Sequence, residues 1–559
     1  MTRVGTQQQQ QLPVSPQQQI DDGDGVSKYI ALKERSGPST QDTSVSIMYG
    51  SVSSAQLPDV SRQDIAANVR ILRENFDTGA TQDVKVRKQL LRQLKTLMTE
   101  GESAMKEAMW KDLHKHPTEA YVAELALVNA EIQDHLDYLE DWAKPEFALT
   151  NMANLPGFSY IHREPLGVVC VISTWNYPVN LLFCPLVAAL SAGNCVLLRL
   201  PGDDTTMHLN QVFISLLDKY MDNRYVRYVY GGVEETKAML RERYDLIFAT
   251  GGCFLGKIVA RAAAEFLTPV VLELGGKSPV IVDETSDLAL AARRIAWGAF
   301  SNSGQTCVRP DYVLVDAKIG DRFVQMLEET VLKFYGQDPK RSESYGRIVN
   351  QRAFERMKKL LAADHDRITF GGSSDNDERY VHPTILNFRT DFDGFRKSAT
   401  MSDEIFGPLL PVFYYESGNL NVPIKFIKQG EKPLALYLFS TKSSNKQRVV
   451  KATNAGSMVI NDCMVQLANP HLPFGGVGNS GMGAYHGRHG FEAFSHRKPV
   501  IYKYSLLDLS ARYAPYNAQG ERLLRIVQYP YSRNFFRVIK LTGFALVVLI
   551  IALIINAAV

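Results

Sequence analysis

The sequence predicts an α/β protein. It should have two doubly wound parallel-sheet domains and a C-terminal transmembrane helix. Three observations carry this. Short, wholly apolar runs alternate with helix-length segments from 167 to 266, the mark of strands buried on both faces. A second series of the same kind runs from about 275 to 475. An uncharged apolar run, Leu541 to Val559, ends the chain.

Residues 1 to about 60, with TQQQQQLPVSPQQQ near their start, hold too little apolar surface to offset ordering entropy and are expected to be disordered. They contain no apolar run of the kind a secretory signal needs, and have acids and few arginines where a transit peptide would be arginine-rich. Order should begin near Ser61, a helix N-cap, with Ile65, Val69, Leu72 and Phe76 at helical spacing. A second helix carries Val86, Leu90, Leu94 and Leu97. A third runs from about Thr118 to Trp142, with Pro145 beyond it.

GVVCVI (167–172) reads as a buried strand. WNYP (175–178) turns into an apolar helix over 181–191, and strands follow near 196–198, 226–230 and 246–249. GGCFLG (251–256) then opens a helix over 257–266. Free amides at such a turn suit a phosphate, although the spacing is not GxGxxG and a plain turn is the alternative. The second lobe should hold strands at 279–282, 312–315, 409–413, 436–439 and 457–460.

Hydrophobic residues make up 45% and charged residues 22%, ordinary for a globular chain, and a net charge of +3 calls for no nucleic-acid partner. The six cysteines show no CxxC pair. That argues against a disulfide framework or a metal site and for a reducing compartment. Glu273 stands in an apolar setting beside Gly275 and Gly276, and Cys307 follows a Gly-Gln-Thr turn. An acid and a thiol in one stretch suggest a base and a nucleophile brought together by folding. A buried structural acid and an inert core cysteine are the alternative.

The Leu541–Val559 run would span about 28 Å as a helix, close to the roughly 30 Å of a hydrocarbon core. Arg533, Arg537 and Lys540 precede it, which keeps the body on the cytosolic side. With nothing after it, the run would insert as a tail anchor. Tyrosines and cations over 500–540 suit a lid over the substrate entrance or a tether at the membrane interface.

The ordered motifs WNYP (175–178), Gly193-Asn194, Thr250-Gly251, LELGGK (272–277), GQTC (304–307), EIFGP (404–408) and PFGG (473–476) resemble the aldehyde dehydrogenase superfamily over roughly 61–500. CVRPDY (307–312), GMGAYH (481–486) and the C-terminal run are most similar to its fungal fatty aldehyde branch. The resemblance implies a Rossmann-like NAD-binding domain at 61–274, with 146–163 lent to an oligomerisation hairpin that forms a small β bridging element, and a catalytic domain at 275–476. An oligomerisation arm follows at 477–498, a lid or juxtamembrane linker at 499–540 and the anchor at 541–559. It also implies a homodimer.

By the same resemblance Cys307 is the nucleophile, Glu273 the general base and Asn176 an oxyanion donor together with the Cys307 amide. Trp175, Arg199, Gly251, Gly252, Leu255, Gly256, Leu274, Gly275, Glu404 and Phe406 would bind NAD. The family's Lys-Pro-Ser-Glu run reads Arg199, Leu200, Pro201, Gly202 here, and Gly252 replaces its usual serine, which leaves NADP open beside NAD. The expected reaction is NAD-dependent oxidation of long-chain aldehydes to acids. Transfer of the acyl group to coenzyme A and a non-catalytic tail-anchored scaffold are the alternatives. The expected membrane is the endoplasmic reticulum, with the mitochondrial outer membrane, peroxisome and lipid droplet as alternatives.

Overall fold

The computed structural model describes residues 64–543 except 203, 204, 506, 507, 531, 533, 536 and 539. The disorder expected over 1–60 and most of the 541–559 run lie outside the described residues. Among those described, no helix is long and apolar enough to cross a membrane.

The first sheet is made of β3 (Val168–Ile172), β4 (Cys195–Arg199), β5 (Val226–Val229), β6 (Leu246–Thr250) and β7 (Val270–Glu273), with β17 (Gly481–Met482) at its edge. The order is β17-β7-β6-β3-β4-β5, parallel except for β17. β3, β4 and β6 are buried along their whole length, as their unbroken apolar runs require. The second sheet holds β8 (Pro279–Val282), β9 (Tyr312–Asp316), β10 (Ile368–Phe370), β13 (Thr384–Arg389), β14 (Leu409–Tyr415), β15 (Ala435–Phe439) and β16 (Ser457–Ile460) in the order β10-β13-β14-β9-β8-β15-β16. Only β10 runs antiparallel. The remaining short strands, β11 (Ser374–Asp375) and β12 (Tyr380–Val381), pair with each other.

Several elements differ from the sequence expectation. The first helix is Ile65–Asp77 and its N-cap is Asp64, whose carboxylate accepts from the Ala67 amide at 2.8 Å; Ser61 lies outside the described residues. The helix expected over 257–266 is Cys253–Ala264, so it begins directly after Gly252. The helix expected from 118 to 142 is broken into Pro117–Ala120, a π-turn at Tyr121–Leu125, and Ala126–Ala143. β7 and β13 had no counterpart in the expected strands.

A third sheet, β1-β2-β18, consists of β1 (Glu146–Ala148), β2 (Gly157–Pro165) and β18 (Ser495–Lys503). The segment expected as the arm, 477–498, is divided among three elements. Gly481–Met482 extends the first sheet, and helix Gly487–Ala493 packs on helices Pro178–Ala192 and Ala126–Ala143. The strand paired with β2 begins only at Ser495, so its last residues fall in the segment expected for the linker.

Candidate active site

The ends of β3, β6, β7 and the turn before β9 converge between the two large sheets. Of the six cysteines, Cys170, Cys184, Cys195 and Cys463 are buried, and Cys253 and Cys307 are partly exposed. Cys307 follows a turn at Ser301–Gly304 in which Asn302 and Ser303 adopt left-handed backbone, φ 51° and 50°. That strain is held by Gln305. Its amide donates to the Asn302 and Arg347 carbonyls at 3.0 and 2.9 Å, and its side-chain oxygen accepts from the Val349 amide at 2.9 Å.

Asn176 belongs to the same network. Its Nδ2 donates to the Gln305 carbonyl at 3.1 Å, and its own carbonyl accepts from Asn302 Nδ2 at 2.9 Å. It is 2% exposed, and its Oδ1 has no partner. Next to it, the Tyr177 hydroxyl and the Thr306 hydroxyl lie 2.8 Å apart. Asn176, from far upstream, is thus fastened to the loop that carries Cys307.

Glu273 ends β7, between Thr250 of β6 and Gly481 of β17. It is 1% exposed and neither carboxylate oxygen has a hydrogen-bond partner, so burial pushes its pKa well above the carboxylate range. The Cys307 thiol is pushed up to about 12, first by burial, then by the charges of Glu404 and Glu273. The backbone amides of Cys307 and Val308 pull the other way, because they donate to the thiolate. Glu404 is raised to about 8 by burial and by Asp311; the Gly276 amide and Lys277 oppose the shift. One acid with no hydrogen bond, a second acid and a thiol therefore share one electrostatic environment.

A cleft of about 940 Å³ lies beside this group, with Gly252, Cys253, Gly275, Lys277 and Glu404 in its wall. Its residues fit a dinucleotide. Glu404 Oε1 is buried without a partner and can accept from a ribose hydroxyl. Gly252 caps helix Cys253–Ala264 with no side-chain bond and has open space where a Cβ would stand, so a phosphate can reach the helix amides. A Cβ on Gly275 would fall 2.6 Å from Glu404 Oε2, so glycine there keeps that carboxylate in place. Trp175 meets Phe406 edge-to-face at 5.6 Å, and Phe406 sits at φ 46°.

The other candidates are placed differently. Gly251 packs on Leu255, and Gly256 on Leu274, as the contact between β7 and its neighbouring helix. Arg199 is 6% exposed, and its guanidinium donates to the Gly231 and Gly232 carbonyls, at 2.5 and 3.1 Å, and to the Thr236 hydroxyl at 3.1 Å. Its charge is engaged by the turn after β5. Lys115, Glu124, Asn302 and Gln305 were not among the sequence candidates. Gln305 lies inside the quoted GQTC motif, and no motif marks the other three.

The aldehyde dehydrogenase family profile matches residues 40–500 of the chain. The chain belongs to the aldehyde dehydrogenase family. It is 44% identical to the dimeric NADP-preferring aldehyde dehydrogenase of Rattus norvegicus, over 82% of this chain and 99% of that one. It is 41% identical to 4,4'-diaponeurosporen-aldehyde dehydrogenase of Staphylococcus aureus, over 83% and 97%. The fold superposes on the substrate-bound Staphylococcus aureus AldH with a TM-score of 0.80 at 40% identity, covering 83% of this chain and all of the other. The dehydrogenase is an enzyme that oxidises aldehydes.

Proposed function

We propose that this dehydrogenase oxidises long-chain aliphatic aldehydes to carboxylic acids with NAD⁺, using Cys307 as nucleophile and Glu273 as general base. The observation that carries the reading is Glu273 itself, a buried carboxylate with no hydrogen bond of its own, electrostatically coupled to the Cys307 thiol.

The Cys307 thiolate attacks the aldehyde carbonyl carbon, and the carbonyl oxygen becomes an oxyanion. In this reading the Cys307 amide and the second N–H of Asn176 Nδ2, whose first goes to the Gln305 carbonyl, donate to it. A bound dinucleotide supplies the acceptor for the hydride that leaves the thiohemiacetal carbon. Cys307 is left as a thioester. Glu273 in its ionised form, kept free of other partners, takes a proton from water as the water's oxygen attacks that carbon. The C–S bond breaks, the acid departs, and the sulfur leaves as thiolate.

The uncharged Leu541–Val559 run and the exposed tyrosines Tyr513, Tyr516 and Tyr529 support a membrane-held enzyme working on aldehydes that partition into lipid. Each methylene adds about 0.8 kcal/mol of that preference. We place the body on the cytosolic face of the endoplasmic reticulum, with 499–540 as a lid or linker. The homodimer reading is supported by the word dimeric in the name of the rat relative and by Phe147, Phe158 and Tyr502, exposed on the three-stranded sheet.

The test is NADH formation with hexadecanal, with and without coenzyme A, followed by a chain-length series of kcat/KM with NAD and NADP side by side. Turnover without coenzyme A and a kcat/KM that climbs with chain length are expected. A strict coenzyme A requirement overturns the hydrolytic role of Glu273, and a flat series overturns the substrate class. Removing 541–559 should release an enzyme active on short aldehydes.

A further inference from the structure

A lysine far from the recognised motifs is fully buried against the site. Lys115 follows helix Glu102–Leu113 after a left-handed residue, His114 (φ 53°), which swings the chain inward. Its side chain is 0% exposed. The ammonium has three donors and three partners: the Glu124 carboxylate, the Asn176 carbonyl at 2.9 Å, and the face of the Tyr177 ring at 4.2 Å. Two of the three belong to Asn176 and the residue after it.

Glu124 is also 0% exposed, and its second oxygen accepts from the Val179 and Asn180 amides at 2.8 and 3.4 Å. These amides open helix Pro178–Ala192, whose N-cap, Tyr177, has no side-chain bond to offer. A carboxylate is favoured at this end of a helix dipole. Glu124 reaches it from the π-turn Tyr121–Leu125, where one extra residue widens the helix. The pair therefore grips both ends of one short segment, with Asn176 between the Lys115 contact and the capped helix.

Burying a lysine and a glutamate carries a desolvation penalty, and such pairs are poor sources of net stability. What this one delivers is placement. With the Asn176 carbonyl held by Lys115 and Asn302, the Asn176 side chain has one orientation, and its Nδ2 reaches Gln305, two residues before Cys307.

We propose that Lys115, charge-balanced by Glu124, is a positioning residue for aldehyde oxidation, acting through the Asn176 backbone to aim the Asn176 amide at the oxyanion. This rests on the oxyanion role given to Asn176 above.

The test is a double-mutant cycle in the full-length chain. The neutral pair variant Lys115→Met/Glu124→Gln avoids a stranded buried charge. It is expected to lower kcat about 10- to 100-fold, with dinucleotide KM and the rate of Cys307 alkylation by iodoacetamide unchanged. In an Asn176→Ala background the same change should cost less than about threefold, because coupled residues are not additive. An equal loss in both backgrounds, or no loss in either, overturns the proposal and leaves the role of Asn176 standing. If Asn176→Ala alone leaves kcat unchanged, the oxyanion reading fails and this one with it. Thermal unfolding checks that each variant folds. Should the neutral pair not fold, Lys115→Arg enters the same cycle, because a planar guanidinium keeps the charge but cannot place a point donor on the Asn176 carbonyl.

Discussion

The Asn176 side chain donates to the backbone carbonyl of Gln305, 3.1 Å away and 129 residues later in the chain. That bond ties the start of the first sheet's apolar helix to the loop of the nucleophile.

The charge around Cys307 gives a first prediction. After burial, Glu404 is the largest influence holding the thiol up at about 12. At about pH 9 Glu404, with its value of about 8, is mostly ionised. Glu404→Gln should then speed alkylation of Cys307 by iodoacetamide several-fold in the dinucleotide-free enzyme, and wild-type alkylation should climb roughly tenfold per pH unit in this range. An unchanged rate would mean that Glu404 is not charged beside the thiol.

Glu273 should make the protein's stability depend on pH. Its folded pKa lies above the unfolded value, so between the two the folded state holds a proton that the unfolded state lacks. Stability therefore falls as pH rises through that window. Glu273→Gln removes the dependence. Its Tm should exceed that of the wild type at about pH 8, and the gap should close toward about pH 4, the ordinary carboxylate range. The variant should also accumulate thioester, seen as a burst of NADH followed by slow turnover.

Two glycines in the cleft wall should respond in opposite ways. A Cβ on Gly275 meets the Glu404 carboxylate at 2.6 Å, whereas one on Gly252 meets nothing within 4 Å. Gly275→Ala should raise the dinucleotide KM at least about tenfold by displacing a group that accepts a hydrogen bond. Gly252→Ala should leave stability within about 0.5 kcal/mol of the wild type. Steady-state kinetics and thermal unfolding of the two variants decide.

Arg199 should matter more to folding than to cofactor choice. Its guanidinium is engaged by Gly231, Gly232 and Thr236. Arg199→Met should lower Tm by several degrees and leave the ratio of kcat/KM for NAD and NADP within about twofold, because the lost bonds are internal ones. A large shift in that ratio would place the guanidinium on the cofactor.

Sequence alone reached the parallel sheets because a strand buried on both faces has an unbroken apolar run, as in 168–172 and 435–439. It missed β13, where Asn387 interrupts the run, and that polar position is explained only by the Tyr414 hydroxyl it meets across the sheet at 2.9 Å. Cys307 and Glu273 were legible as candidates from the turns beside them, and Asn176 only through the family resemblance. Lys115 and Glu124 were not. Isolated charges on helices normally face solvent, and only the left-handed turn at His114 and the π-turn at Tyr121–Leu125 bring them inside. Arg199 was named from the family run alone, and sequence showed no sign of the carbonyls of Gly231 and Gly232 that its guanidinium meets.

The short strand Gly481–Met482 fills the edge of β7 and pairs with Glu273 itself. That edge stays open during synthesis until nearly the whole chain has left the ribosome. A nascent chain stopped anywhere before Gly481 would carry the nucleophile, the loop that holds it and most of both sheets, yet lack the backbone partner that seats the acid. The competence to complete turnover is thus among the last properties the growing polypeptide acquires.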